Sequence, residues 1–251
     1  MKIDYHIHTE YSYDSRLKAD ELINKAIILN YNAIAITEHL DLFPFELSRF
    51  GLPPFQKYIR HIQNMRDRYA SSPLRIIRGV EVGDFQRVKH FAGEFLAQLD
   101  LDLKLGAVHF LSDHTNVAVP MNKPLDATAI GDYYRQNLDL VSNCDIHVLA
   151  HLGVFKRYYT EAPDENHCQD ILKDIFQTMI ERDIALEINY SALRKPYGRV
   201  LPEPGQIELY RSLGGRLFSI GSDAHALSDF DLGYASLPDW LFDGTVNLIS
   251  I

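Results

Sequence analysis

Short apolar segments rich in β-branched residues alternate with amphipathic, helix-length segments along this 251-residue chain. Strands are predicted at Lys2 to Thr9, Ala33 to Thr37, Arg75 to Gly83, Leu103 to Val108, Ile146 to Ala150, Ala185 to Tyr190 and Leu217 to Gly221. Helices are predicted between them at Leu17 to Leu29, Phe55 to Tyr69, Val88 to Leu99, Ala127 to Val141, Asp170 to Glu181 and Glu208 to Leu213, the last stopped by Gly214-Gly215. The stretches Asp41 to Pro54, Ser112 to Lys123 and Ser191 to Pro204 are predicted as loops. Runs such as Ala33-Ile34-Ala35-Ile36, apolar on both faces, suit buried parallel strands. Repetition of about seven βα units in a chain of this length predicts an α/β fold. The expected form is one domain over 1–251, a distorted seven-stranded (β/α)7 barrel resembling a TIM barrel.

Against that frame the positions of the histidines are informative. His6 and His8 lie two apart on the first predicted strand, so period-two alternation sends both imidazoles to one side. Asp14 follows that strand, His39 ends the second, Glu81 is near the end of the third, and His109 ends the fourth. His151 ends the fifth, and Asp223 and His225 end the seventh. In a parallel barrel all of these strand ends open on one face, where such enzymes keep their active sites. A single histidine at a strand end is ordinarily a satisfied polar residue; six arriving there by chance is a much rarer event. The other five, His61, His90, His114, His147 and His167, fall in helices, in loops or at a strand's start, and read as surface or packing residues.

Six imidazoles and three carboxylates exceed the three protein ligands typical of a catalytic zinc. They suit two or three divalent ions, with Glu81 as the central bridging candidate. Imidazole–carboxylate sites accept Zn, Fe or Mn. The formal net charge of −9 disfavours a general nucleic-acid binder. A phosphate site here must draw on metal ions or a few local Arg and Lys side chains. Cys144 and Cys168 have no CxxC spacing and read as small buried hydrophobes in a reducing compartment. With the first strand beginning near Met1 and no apolar run of ~20 residues, the expectation is a cytoplasmic protein without a membrane partner.

The segments Asp4-Tyr5-His6-Ile7-His8-Thr9, Thr37-Glu38-His39, Gly79-Val80-Glu81-Val82-Gly83, Gly106-Ala107-Val108-His109, Ala150-His151 and Gly221-Ser222-Asp223-Ala224-His225 resemble the polymerase-and-histidinol-phosphatase (PHP) family. His151 to Tyr158 and Asn189 to Pro196 are similar to its histidinol-phosphate phosphatase branch. The resemblance runs from Asp4 to His225. It implies a trinuclear site: His6, His8, Glu81 and Asp223 on one ion, Glu81, His109 and His151 on a second, Asp14, His39 and His225 on a third. Many family members carry His where this chain has Asp14, a departure that bears on the third ion.

The implied reaction is hydrolysis of a small phosphorylated substrate, L-histidinol phosphate, by a hydroxide held between two ions, as a step of histidine biosynthesis. The alternative within the family is a phosphoesterase acting on a nucleotide or nucleic-acid end. A non-catalytic metal-binding barrel is a third reading, and no ligand position is plainly lost to favour it. Arg157 and Arg194 are the expected phosphate contacts, with Lys156 and Lys195 behind them. Asp223 and His225 are the candidates for assisting the leaving group, and either could instead be purely a ligand. Glu161, Asp113 and Glu38 are available to a substrate ammonium, Glu38 equally to orienting its neighbour His39. Phe43-Pro44-Phe45 and Phe110 could wall the pocket or belong to the core.

Overall fold

The structure is a computed structural model and describes residues 1–121 and 123–251. Eight parallel strands form one sheet in chain order: β1 (Ile3–Ile7), β2 (Ala33–Asp41), β3 (Arg75–Gly83), β4 (Leu103–Ala107), β5 (Val148–Leu149), β6 (Ala185–Asn189), β7 (Leu217–Gly221) and β8 (Asn247–Leu248). Around them run α1 (Ala19–Ile28), α2 (Pro44–Phe50), α3 (Phe55–Arg68), α4 (Lys89–Leu96), α5 (Ala127–Asn143), α6 (Gln169–Glu181) and α7 (Pro204–Ser212). The result is a distorted TIM-like barrel, as expected, with a two-residue eighth strand added against the start of β7.

The first and seventh strands are joined at the mouth. Beyond β7 the chain bridges Ile7 with Ala224 in parallel. His8 N–H donates to Ala224 O at 3.0 Å and Asp223 N–H donates to His6 O at 2.8 Å. Three of the four backbone groups in these bonds therefore belong to residues expected at the site, His6, His8 and Asp223. Asp4 reinforces this seam from beneath. It is fully buried, its Oδ1 accepts from Ser222 N at 3.0 Å and His6 N at 3.3 Å, and its Oδ2 accepts from Tyr190 OH at 2.8 Å.

The helices follow their apolar spacing. Phe55, Tyr58, Ile62 and Met65 bury one stripe of α3. Asp126 caps α5 by accepting from Ala129 N at 2.9 Å. Two expectations need correction. The predicted loop over 41–54 contains α2, because Pro44 at the first helical position starts a helix rather than breaking one. The last helix begins at Pro204, not Glu208, because Glu203 and Gln206 form a reciprocal capping box there. It stops where expected, at Gly214 with φ of +99°. The predicted 112–123 loop includes Asn122, which lies outside the described residues. Cys144 and Cys168 are buried and free. Among the described residues no helix is long and apolar enough to cross a membrane.

Candidate metal centre

All nine expected side chains meet at the closed mouth. β1 presents His6 and His8, with Nε2 atoms 3.1 Å apart. β3 brings Glu81 between them and the far side of the barrel. Its Oε2 lies 3.5 Å from His6 Nε2, 3.4 Å from His8 Nε2 and 3.1 Å from His39 Nδ1. Its Oε1 lies 2.8 Å from His151 Nε2 and 3.5 Å from His109 Nε2. Asp223 Oδ1 is 3.8 Å from His6 Nε2 and 3.5 Å from His8 Nε2. Asp14 stands over the outer edge, Oδ1 3.5 Å from His39 Nε2 and Oδ2 3.4 Å from His225 Nε2. His151 and Asp223 take left-handed backbone, φ +58° and +51°, which non-glycine residues seldom adopt. Such strain is typical of positions where the surrounding fold fixes a functional side chain.

These atoms form overlapping ligand sets. Glu81, His109 and His151 make one; His6, His8 and Glu81 another; His6, His151 and Asp223 a third; His8, His39 and His225 a fourth. In each, the nitrogen and oxygen atoms lie within 4.8 Å of one another. His151 Nδ1 is buried without a hydrogen-bond partner, while Glu81 Oε1 and His39 Nδ1 have ionic contacts but no well-aligned hydrogen bond. Uncompensated buried polar atoms are costly. Asp14, Asp41, Glu81, Glu187 and Asp223 bring five carboxylates to this region, of which Asp223 is paired with the guanidinium of Arg157. Convergent lone pairs with a surplus of negative charge are the surroundings a cluster of divalent cations fits, and the mixed imidazole and carboxylate donors suit Zn, Fe or Mn.

Several residues not foreseen from sequence orient the ligands. Glu187, fully buried on β6, lies with Oε1 2.7 Å from His6 Nδ1. That contact holds the proton on Nδ1 and leaves the Nε2 lone pair facing the cluster. Asn189 Nδ2 donates to the other Glu187 oxygen at 3.1 Å. His8 Nδ1 faces Ser12 Oγ at 3.4 Å, and the Ser12 hydroxyl donates in turn to Glu38. Asp41 sits 3.6 Å from His39 Nδ1 and 3.7 Å from His109 Nδ1. The signal for Glu187 and Asp41 was present: Glu187 alternates with Ala185 and Asn189, and Asp41 with Thr37 and His39, so each shares the inward face of its strand. Replacing Glu187 by Gln is expected to weaken metal affinity roughly 10–100-fold, as for other carboxylates hydrogen-bonded behind a ligating histidine. Titration against a competing chelator reads this, and unchanged affinity removes Glu187 from the role.

The residues expected to meet substrate separate into two groups. Arg157 and Arg194 both line a cavity beside the cluster, together with Asp223, His225 and Lys195. Arg157 Nη2 donates to Asp223 Oδ2, while its Nε is buried without a partner. Arg194 Nη2 donates to Ser222 O at 2.8 Å, and its Nη1 is likewise unpartnered. Burial works against a charge on Asp223, but Arg157 and then His6 hold its carboxyl far below the usual range. Lys156 is a correction. It is fully buried and its Nζ lies 2.5 Å from Glu165 Oε2, away from the cavity. The 3-10 turn Val154–Tyr158 sends neighbouring side chains about 120° apart, so Arg157 faces the mouth and Lys156 the helices. Glu38 is also withdrawn from the substrate: it is buried, accepting from Thr9 and Ser12. Asp113 and Glu161 are exposed. Phe110 lines the metal pocket, while Phe43, Pro44 and Phe45 line an apolar pocket beside it with His114.

The chain is similar to known proteins along most of its length. A Clostridium acetobutylicum protein named "Probable histidinol-phosphatase" is 25% identical over 248 residues, covering 93% of this chain and 90% of its own. A Thermotoga maritima protein of the same name is 28% identical over 224 residues, covering 89% and 84%. In fold, the chain is similar to the Lactococcus lactis histidinol phosphate phosphatase solved with zinc, L-histidinol and phosphate. The TM-score is 0.72 at 24% identity, covering 96% of this chain and 89% of that one. The model of the family described as "PHP domain" matches residues 4–191, which carry seven of the nine converging side chains, and this chain belongs to that family.

Proposed function

We propose that this PHP-family, metal-dependent phosphoesterase is a phosphomonoesterase that hydrolyses L-histidinol phosphate to L-histidinol and phosphate, a step of histidine biosynthesis. The observation that carries the reading is the meeting of two things at one mouth. Glu81 turns its two oxygens to different groups of imidazoles, and Arg157 and Arg194 line the adjoining cavity. The names of the relatives support the choice of substrate.

His6, His8, Glu81 and Asp223 would hold one ion, Glu81, His109 and His151 a second, and Asp14, His39 and His225 a third. Bound there, Zn, Fe or Mn supplies Lewis-acid charge and lowers the pKa of water toward neutrality. Arg157 and Arg194 hold the phosphoryl oxygens, where a planar fork of N–H donors matches phosphate geometry. Asp223 does not protonate the leaving group, because Arg157 keeps it ionised; it anchors Arg157 and closes the ligand set. With two ions bound, His225 at the more exposed rim is the group placed to deliver the proton to the departing alkoxide; with a third ion bound it is a ligand instead. Its Nε2 also faces Asp14 and His39, so a proton there and a third ion exclude each other.

The test is phosphate release from L-histidinol phosphate against a panel of nucleotides and phosphorylated nucleic-acid ends, with elemental analysis of the same protein. Preference for L-histidinol phosphate is expected; preference for a nucleotide or a nucleic-acid end moves the chain to the other activity of its family. Arg194→Ala is expected to raise KM roughly tenfold, since a hydrogen bond to a charged group contributes ~1.5–3 kcal/mol. Unchanged kcat and KM would exclude Arg194 from phosphate binding.

A further inference from the structure

We infer that the buried Lys156–Glu165 ion pair is a positioning device that sets both phosphate-binding arginines; this rests on the reading of Arg157 and Arg194 given above. Lys156 is the residue before Arg157 in the 3-10 turn Val154–Tyr158, which begins three residues after His151. Its ammonium is fully buried and reaches two carboxylates, Glu165 Oε2 at 2.5 Å and Glu203 Oε2 at 3.5 Å. Each carboxylate is tied to a different part of the scaffold. Glu165 accepts from Tyr134 OH on α5 at 2.7 Å and from Gln206 Nε2 on α7 at 3.1 Å. Glu203 accepts from Tyr197 OH, three residues beyond Arg194 and outside the turn Ser191–Arg194. One ammonium thus joins the Arg157 turn, the Arg194 loop and two helices.

A buried ion pair is a poor way to gain stability, because desolvating both charges offsets most of their attraction, and apolar residues of similar volume are often neutral or stabilising replacements. What a pair provides that an apolar contact does not is a fixed register between the groups it joins. Here the joined groups are the two turns that aim guanidinium groups into one cavity. Contact between these turns alone would leave each free to slide, and small displacements of a positioning group cost a reaction heavily.

The experiment uses the metal-loaded full chain and inorganic phosphate as the probe, read by titration calorimetry and by inhibition of turnover. Lys156→Met alone strands a carboxylate and could unfold the protein, so the test variant is Lys156→Met/Glu165→Gln, which removes both charges and keeps one amide oxygen to accept from Tyr134, while Gln206 Nε2 retains Tyr134 OH as its acceptor. The melting temperature and metal content are expected to stay near those of the unmodified chain. The Kd for phosphate and the KM are expected to rise about tenfold with kcat changed much less, because misplacement of a clamp weakens binding before it alters the metal-centred step. In an Arg157→Ala background the same pair of changes is expected to have less than half its effect on a logarithmic scale, as it acts through that arginine. A folded, metal-loaded double variant that binds phosphate within twofold of the parent overturns the inference, as does full additivity with Arg157→Ala. If the parent binds no phosphate, or Arg157→Ala leaves binding unchanged, the arginine reading itself falls and takes this inference with it.

Discussion

Glu81→Gln is expected to lose bound metal and nearly all turnover together. The change keeps the size of the side chain and removes one charge, but its chemical effect is larger than that. Both Glu81 oxygens face imidazole nitrogens, His151 and His109 on one side, His6, His8 and His39 on the other. Whichever position the amide nitrogen takes, it points N–H groups where a shared cation needs a lone pair. Glu81 belongs to two of the ligand sets, so its loss would weaken both at once, and Lewis-acid stabilisation by ions held there would amount to several kcal/mol. At about 1.4 kcal/mol per tenfold, turnover should fall roughly 10³-fold or more. Elemental analysis and steady-state kinetics on the same preparation decide the matter. A variant with full metal content and turnover within tenfold of the parent would show that Glu81 does not bridge.

The same geometry explains which parts of the site were legible in the sequence. His6 and His8 were, because a strand has a period of two and its direction fixes which end carries the site. Glu38 could also have been excluded from the mouth on that ground: next to inward-facing His39, it must point outward, where it binds Thr9 and Ser12. Lys156 could not have been placed. In the sequence it stands beside Arg157 with the same charge, and only the 3-10 twist of a turn separates their directions. The helix α2 was missed because aromatic and proline residues dominate its composition, whereas its start depends on Pro44 standing first. Asp41 and Glu187 were readable as inward-facing acids on their strands. The contact of Asp41 with His39 lies within β2, but those with His109 and, for Glu187, with His6 cross strands that the sequence does not pair by residue.

Metal binding is expected to stabilise the fold much more at pH 9 than at pH 6.5. Without cations, protons must offset the carboxylates in the mouth. Burial alone would lower the histidines, but Glu187 and Glu81 hold His6 well above 6.5, and Asp41 and Asp14 do the same for His39. His109, buried but facing Asp41 and Glu81, is pushed up to about 10. A histidine whose value is raised on folding stabilises the fold fully below its unfolded value, near 6.5, and loses that contribution as pH rises through the folded value. The apo-protein should therefore weaken steadily from pH 6.5 toward 10. His8 and His151 run the other way: burial foremost holds both low, so their contribution is present above 6.5 and fades as pH falls. Cations replace the missing protons, and their affinity itself rises with pH because the ligating imidazoles must be neutral. For His109 alone, the span from pH 6.5 to 9 corresponds to about 3 kcal/mol at ~1.4 kcal/mol per unit. For a domain of this size that is roughly 10 °C in Tm. The measurement is the difference in Tm between metal-loaded and chelator-stripped protein at the two pH values. Equal differences would mean that protons and cations do not compete for the same side chains, and the nine residues at the mouth would then lose their claim to be a metal cage.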